Sequence, residues 1–172
     1  VLLDLVKSAG GRVMPVPVDS NGMDVSVLEE MMEETKVRLI YTIPTFQNPT
    51  GAVMAEDRRQ RLLEVAAKHN AIILEDDPFP DLYFDEPPPR PIKSWDESGR
   101  VVYLAGLTKF LFPGLRLGAL VASGSLADRL TDAKLLSDMF TSPVTQTIAC
   151  GLLQQSQHVQ TVERNRSILG RR

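Results

Sequence analysis

Apolar positions along this chain recur in two rhythms. Apolar residues three and four apart predict helices, and short runs rich in β-branched residues predict strands. Residues 1–9 carry Val1, Leu2, Leu5 and Val6 at helical spacing, and Gly10-Gly11 stops them. Residues 12–18 alternate well enough for a strand, and 19–22 have the Asp, Ser, Asn and Gly of a turn. Asp24 stands where it would N-cap a helix over 25–34, with Val27, Leu28, Met31 and Met32 on one side. A short strand over 38–43 and a loop over 44–54 follow. Residues 55–70 predict an amphipathic helix with Leu62, Leu63, Val65 and Ala66 inward, a charged opposite face and Asn70 as its stop. Residues 71–74 read as a buried strand with Glu75-Asp76-Asp77 at its carboxyl end, and the proline-rich stretch 78–96 as an irregular connection.

The pattern centres on residues 101–118, VVYLAGLTKFLFPGLRLG. The stretch starts as a buried strand, breaks at Ala105-Gly106, presents Lys109, turns at Pro113-Gly114 and carries Arg116. Residues 117–122 read as a second buried strand. Helices are expected over 126–137, 143–154 and 159–171. Strands and helices alternate with short joins, which predicts an α/β fold with a mostly parallel sheet flanked by helices.

Composition narrows the function. At 172 residues the chain is long enough for a real core. Its 43% hydrophobic content and net charge of −3 read as soluble and globular, with no basic excess pointing to nucleic acid. The single cysteine, Cys150, excludes an internal disulfide framework and fits a reducing, cytoplasmic location. No apolar run approaches the roughly 20 residues of a membrane span. The chain starts without Met and inside a helical pattern, so a fragment of a longer protein is expected.

Three places offer chemistry. Ligands of open α/β sheets gather outside the carboxyl ends of the strands, where the acidic triplet falls. Glu75-Asp76-Asp77 reads either as a divalent-metal site or as one inward carboxylate paired with a cation beside two solvated neighbours. Lys109, between two core strands, would lose solvation; a neutral amine is a nucleophile, and Arg116 suits a phosphate. The alternative is a surface loop with two solvated cations. Residues 47–51, QNPTG, form a tight turn. His69 and His158 lack metal-ligand spacing and read as surface residues. Trp95 reads as a plug at a core edge, Cys150 as core, and the methionines near Met31 as packing. No metal site is expected.

Thr108-Lys109 followed by Pro113-Gly114-Leu115-Arg116-Leu117-Gly118 resembles the S-K-x-x-x-P-G-L-R-x-G signature of fold-type I aminotransferases, which use pyridoxal phosphate (PLP). Asn48-Pro49-Thr50-Gly51 matches that family's N-P-T-G, and Asp76 falls on the aspartate of its D-x-x-Y. Residues 10–24 resemble its G-x-x-V-x-x-V-P-x-D-x-x-G-M-D pattern. The resemblance implies a Schiff base from Lys109 to PLP, and Asp76 against the ring nitrogen. It implies Asn48 donating to the phenolic oxygen beside a cis Asn48-Pro49 bond, and Arg116 on the phosphate with Thr108 as a further contact. Two positions depart from the family. Phe79, among the cofactor-contacting positions, replaces a tyrosine and its hydroxyl, and Gly106 stands where serine or threonine is common.

The resemblance makes residues 1–142 part of a PLP-binding large domain, and 143–172 helices leading toward a small C-terminal domain. It implies amino acid and 2-oxo acid substrates, a homodimer for the full protein, and little activity for this portion alone. An alternative is the aminotransferase-like, PLP-sensing domain of a MocR-type transcription regulator, with nucleic acid as a partner only behind an upstream winged helix. A decayed, non-catalytic homologue is a third reading; retention of Asn48, Asp76, Lys109 and Arg116 together argues against it.

Overall fold

The computed structural model describes residues 2–107, 113–154 and 157–170. Helix α1, Leu2–Ser8, is followed by residues 11–17, where the expected strand does not form. Ladder structure begins only at β1, Val18–Asp19, which pairs antiparallel with β2, Gly22–Met23. Among the described residues no strand pairs with the alternating residues before it. Gly22 is required twice over in this hairpin. Its φ is +89°, and a β-carbon there would sit 2.8 Å from the Met54 Cβ. Arg58 ties the hairpin down through a bidentate pair with Asp19, Nη1–Oδ1 2.7 Å and Nη2–Oδ2 3.1 Å.

Helix α2, Val25–Glu34, starts as its sequence predicts. The Asp24 carboxylate accepts the N–H groups of Ser26 (3.0 Å) and Val27 (3.2 Å), two of the donors a helix start leaves unpaired. Val25, Leu28 and Met32 form its buried stripe. Helix α3, Glu56–Lys68, buries Leu62, Val65 and Ala66 as expected, but also Arg59.

The main sheet has the order β3-β4-β5-β6. Strands β3 (Leu39–Thr42), β4 (Ile72–Asp77) and β5 (Val101–Gly106) are parallel; β6 (Gly118–Val121) runs antiparallel to β5. Two expectations are corrected. Strand β4 runs through the acidic triplet instead of ending before it, because Glu75, Asp76 and Asp77 pair with Tyr103, Leu104 and Ala105. Strand β6 is not a core strand: it is the sheet edge, exposed along its length.

One sheet face carries Ile40, Ile73 and Val101. They pack with Leu28 and Met32 of α2, Leu62, Val65 and Ala66 of α3, and Ile92 from the 3₁₀ turn Ile92–Trp95. Burying each such side chain contributes roughly 1.5–3 kcal/mol, so this face holds the fold together. Trp95, the last residue of that turn, is half-buried, with the Arg90 guanidinium 5.0 Å from its ring centroid.

Helix α4, Gly124–Asp138, buries none of its residues. Helices α5, Pro143–Gln154, and α6, Gln157–Leu169, fall where the periodicity predicts. Cys150, expected in the core, is exposed; its neighbour Ala149 is the buried residue of α5, because consecutive helical residues point in different directions. His69, expected at the surface, caps the end of α3 and is half-buried, its Nε2 enclosed without a hydrogen-bond partner. The side chain of His158 lies outside the described residues. Among the described residues no helix is long and apolar enough to cross a membrane.

Candidate active site at the carboxyl rim of the sheet

Parallel strands put their carboxyl ends at one rim. Strand β3 ends at Thr42 and leads into the loop bearing Asn48; β4 carries Asp76 next to its last residue; β5 ends at Gly106. Because β6 is antiparallel, it begins at this same rim, with Gly118 opposite Gly106. Arg116, two residues before Gly118, therefore belongs to it as well. Strand order and direction bring Asn48, Asp76 and Arg116 to one edge. Thr108 and Lys109, two and three residues beyond Gly106 in the chain, lie outside the described residues.

The Asn48 loop is held by its own polar groups. Gln47 Oε1 accepts from the Thr50 N–H (2.9 Å) and hydroxyl (2.5 Å), and Gln47 N–H donates to the Ala52 carbonyl (2.9 Å). The Asn48-Pro49 bond is cis, as the resemblance implies, and Asn48 itself is exposed. The ends of the loop are gripped from below by Arg59. Its Nε donates to the Met54 carbonyl (2.9 Å), and its guanidinium nitrogens to Pro44 O (2.9 Å), Thr45 Oγ1 (3.1 Å) and Arg90 O (3.2 Å). Arg59 is the buried residue that periodicity could not find, since it sits among charged residues on a helix. Arg116 is exposed and has a φ of +49°, an uncommon conformation for a residue with a side chain.

The acidic triplet divides between the two faces of β4. Glu75 and Asp77, 0% and 2% exposed, point to the packed face; Asp76 points to the other and is partly exposed. Glu75 accepts the N–H groups of Ile92 (2.7 Å) and Lys93 (2.9 Å), fastening the 3₁₀ turn under the rim. Burial pushes its carboxyl above the ordinary range, while those two N–H groups and the nearby Arg59 charge act against the shift. Asp77 Oδ2 accepts from the Tyr103 hydroxyl (2.9 Å), and its Oδ1 is enclosed without a partner. Burial pushes the Asp77 carboxyl up as well. The expectation of a single inward carboxylate is therefore replaced by two, and Arg59 spends its hydrogen bonds mainly on backbone carbonyls. Among the described residues no three His, Cys, Asp or Glu side chains are grouped to hold a metal ion.

Tyr41, which no motif picks out, donates its hydroxyl to Asp76 Oδ2 at 2.7 Å. Tyr41 pairs with Leu74 in the ladder, so Asp76 is its diagonal neighbour on the same face. Burial, then the hydrogen bond and charge of Asp76, push the Tyr41 phenol well above its ordinary range. Phe79 is half-buried, three residues after Asp76.

The model of the family "Aminotransferase class I and II" matches residues 2–172. Aromatic-amino-acid aminotransferase 1 of Thermococcus litoralis is 45% identical over 78% of this chain and 33% of its own length. The uncharacterized HTH-type transcriptional regulator YisV of Bacillus subtilis is 36% identical over 94% of this chain and 34% of its own. The chain thus spans about a third of the length of these curated relatives. Among solved structures, Pyrococcus horikoshii kynurenine aminotransferase, in complex with PMP, superposes with a TM-score of 0.88 at 36% identity, over 91% of this chain and 40% of that one. With a family match running over residues 2–172 and a fold shared with solved aminotransferases, the chain belongs to the class I and II aminotransferases.

Proposed function

We propose that the full protein is a PLP-dependent aminotransferase, transferring an amino group between an amino acid and a 2-oxo acid. The observation that carries this reading is the state of Asp76. Its carboxylate stands at the rim on the less covered face, with Oδ2 engaged by Tyr41 and Oδ1 without a partner among the described residues. A carboxylate oxygen with no partner among the described residues, on the same rim as an exposed amide, Asn48, and an exposed guanidinium, Arg116, fits a ligand with a basic ring nitrogen, a phenolic oxygen and a phosphate.

When bound, PLP supplies an aldehyde that captures amino groups and a ring that accepts electrons. In this reading Asp76 accepts a hydrogen bond from the ring nitrogen and favours its protonated form. Asn48 donates to the phenolic oxygen, and Arg116 binds the phosphate bidentately, with Thr108 as a further contact. Lys109 is the amine that binds the aldehyde and moves the proton at the substrate Cα. Phe79 offers a ring without the hydroxyl of the family pattern's tyrosine, and Gly106 offers the phosphate no side chain. Residues 1–142 form part of the cofactor domain, and 143–172 lead toward a small C-terminal domain. The full protein is a cytoplasmic homodimer in this reading.

The test is absorbance of the full-length protein titrated with PLP. A Schiff-base band should form in the parent and be absent from Lys109→Ala, with amino transfer lost alongside it. A band of equal intensity in Lys109→Ala would refute the lysine assignment.

A second reading, favoured by the 94% coverage in the match to YisV, makes this the PLP-sensing domain of a MocR-type transcription regulator. A winged helix preceding these residues in the full reading frame, with PLP-dependent DNA binding and no amino transfer, would decide for it.

A further inference from the structure

Tyr41 lies outside every motif in the chain, yet among the described residues its hydroxyl makes the only hydrogen bond to the Asp76 side chain. Register builds the contact. Tyr41 is opposite Leu74, and Asp76 is the next residue on that face of β4. Diagonal neighbours in a sheet are spaced so that a long or aromatic side chain spans them and a short hydroxyl such as serine does not. The kind of donor matters as much as its reach. A lysine or arginine here would neutralise the carboxylate and weaken its hold on a protonated ring nitrogen. A phenol fills one oxygen and leaves the negative charge in place. A phenol is protonated at neutral pH, and burial and the Asp76 charge hold it more firmly so, which makes it the donor toward the carboxylate. Without it, the terminal torsion of an aspartate is soft and the carboxylate turns freely.

We propose that Tyr41 is a positioning residue for Asp76, fixing the carboxylate through Oδ2 so that Oδ1 is presented to the ring nitrogen of the cofactor. The inference rests on the proposed function and deepens it, and its test separates the two. In the full-length protein, with PLP as the probe, Tyr41→Phe keeps the ring and removes only the oxygen. Losing a hydrogen bond to a charged group should raise the PLP dissociation constant roughly 10- to 100-fold. At saturating PLP, kcat should fall while KM for the amino acid stays unchanged, since Tyr41 acts through the cofactor ring. A double-mutant cycle supplies the decisive readout: in an Asp76→Ala background, adding Tyr41→Phe should cause no further loss of PLP affinity. Parent-like affinity and kcat in Tyr41→Phe, with or without a changed melting temperature, would overturn the inference and leave the proposed function standing. So would an undiminished effect of Tyr41→Phe in the Asp76→Ala background, which would make Tyr41 a packing residue. Failure of the unsubstituted protein to bind PLP would overturn both.

Discussion

Gly106 and Pro78 approach each other so closely that a β-carbon on Gly106 would lie 3.1 Å from the Pro78 Cα and 3.5 Å from its carbonyl oxygen. The segment leaving β4 lies against the end of β5, and its backbone cannot swing aside as the tip of a side chain could. This gives a physical reason for glycine where the family commonly has serine or threonine. Gly106→Ser should lower stability by about 1–3 kcal/mol, the usual cost of forcing atoms into a packed place. Urea denaturation would register it as a lower midpoint at constant slope. Restoring the hydroxyl should not tighten PLP binding, because it displaces the Pro78-Phe79 segment beside Asp76. Tighter binding in Gly106→Ser would contradict this account.

Arg59, 0% exposed, is the clamp between α3 and the loop that carries Asn48. Arg59→Leu fills much of the same space but takes the Arg59 donor from the carbonyls of Met54 and Arg90, while the Pro44 carbonyl keeps only the Met54 N–H (2.8 Å). A loss of about 3 kcal/mol or more is expected, since each buried orphan costs roughly 1–3 kcal/mol. Arg59→Lys should recover only part of it, because an ammonium cannot reach three carbonyls from a planar fork. Hydrogen exchange should localise the damage: the Gln47 and Met54 amides, bonded across the loop, should lose protection in both variants.

The buried carboxyls set a direction for pH dependence. The Asp77 carboxyl is raised by burial, so the native chain holds a proton that the unfolded chain, titrating near ~3.9, has already released. In that interval the unfolded state binds fewer protons, and stability falls as pH rises from the unfolded value through the folded one. Glu75 contributes in the same sense. Asp77→Asn keeps an oxygen for the Tyr103 hydroxyl and removes the titration. Its stability, followed by urea denaturation from about pH 4 to pH 7, should decline less than that of the parent. Parallel curves for the two proteins would show that Asp77 ionises at its ordinary value.

What the sequence reveals and what it conceals divide by range. Features fixed by neighbours a few residues away are legible: the Asp24 cap, the buried stripe of α2, the stop after α3, and the cis bond announced by the N-P-T-G resemblance. Features fixed by register or by distant packing are not. Residues 12–18 alternate like a strand, but among the described residues ladder pairing begins only at Val18. Residues 117–122 are apolar enough for a core, yet the strand there forms an exposed edge. Cys150 misses the packed side of its helix by one position. The Tyr41–Asp76 bond joins residues 35 apart in sequence and depends on how β3 and β4 are aligned. At the rim, motif chemistry points to Asn48, Asp76 and Arg116, but that β6 begins there follows only from its antiparallel direction.

The order of three adjacent acids has a consequence of its own. Glu75 needs the length to reach two amides beneath the sheet, Asp76 needs a tyrosine alongside, and Asp77 sits under Tyr103. A swap such as Asp-Glu-Asp keeps composition and net charge, yet pushes a longer arm past the phenol and leaves a shorter one short of the turn. Scoring schemes that treat these acids as synonyms would rate that rearrangement silent, when in this molecule spelling, not charge, carries the instruction.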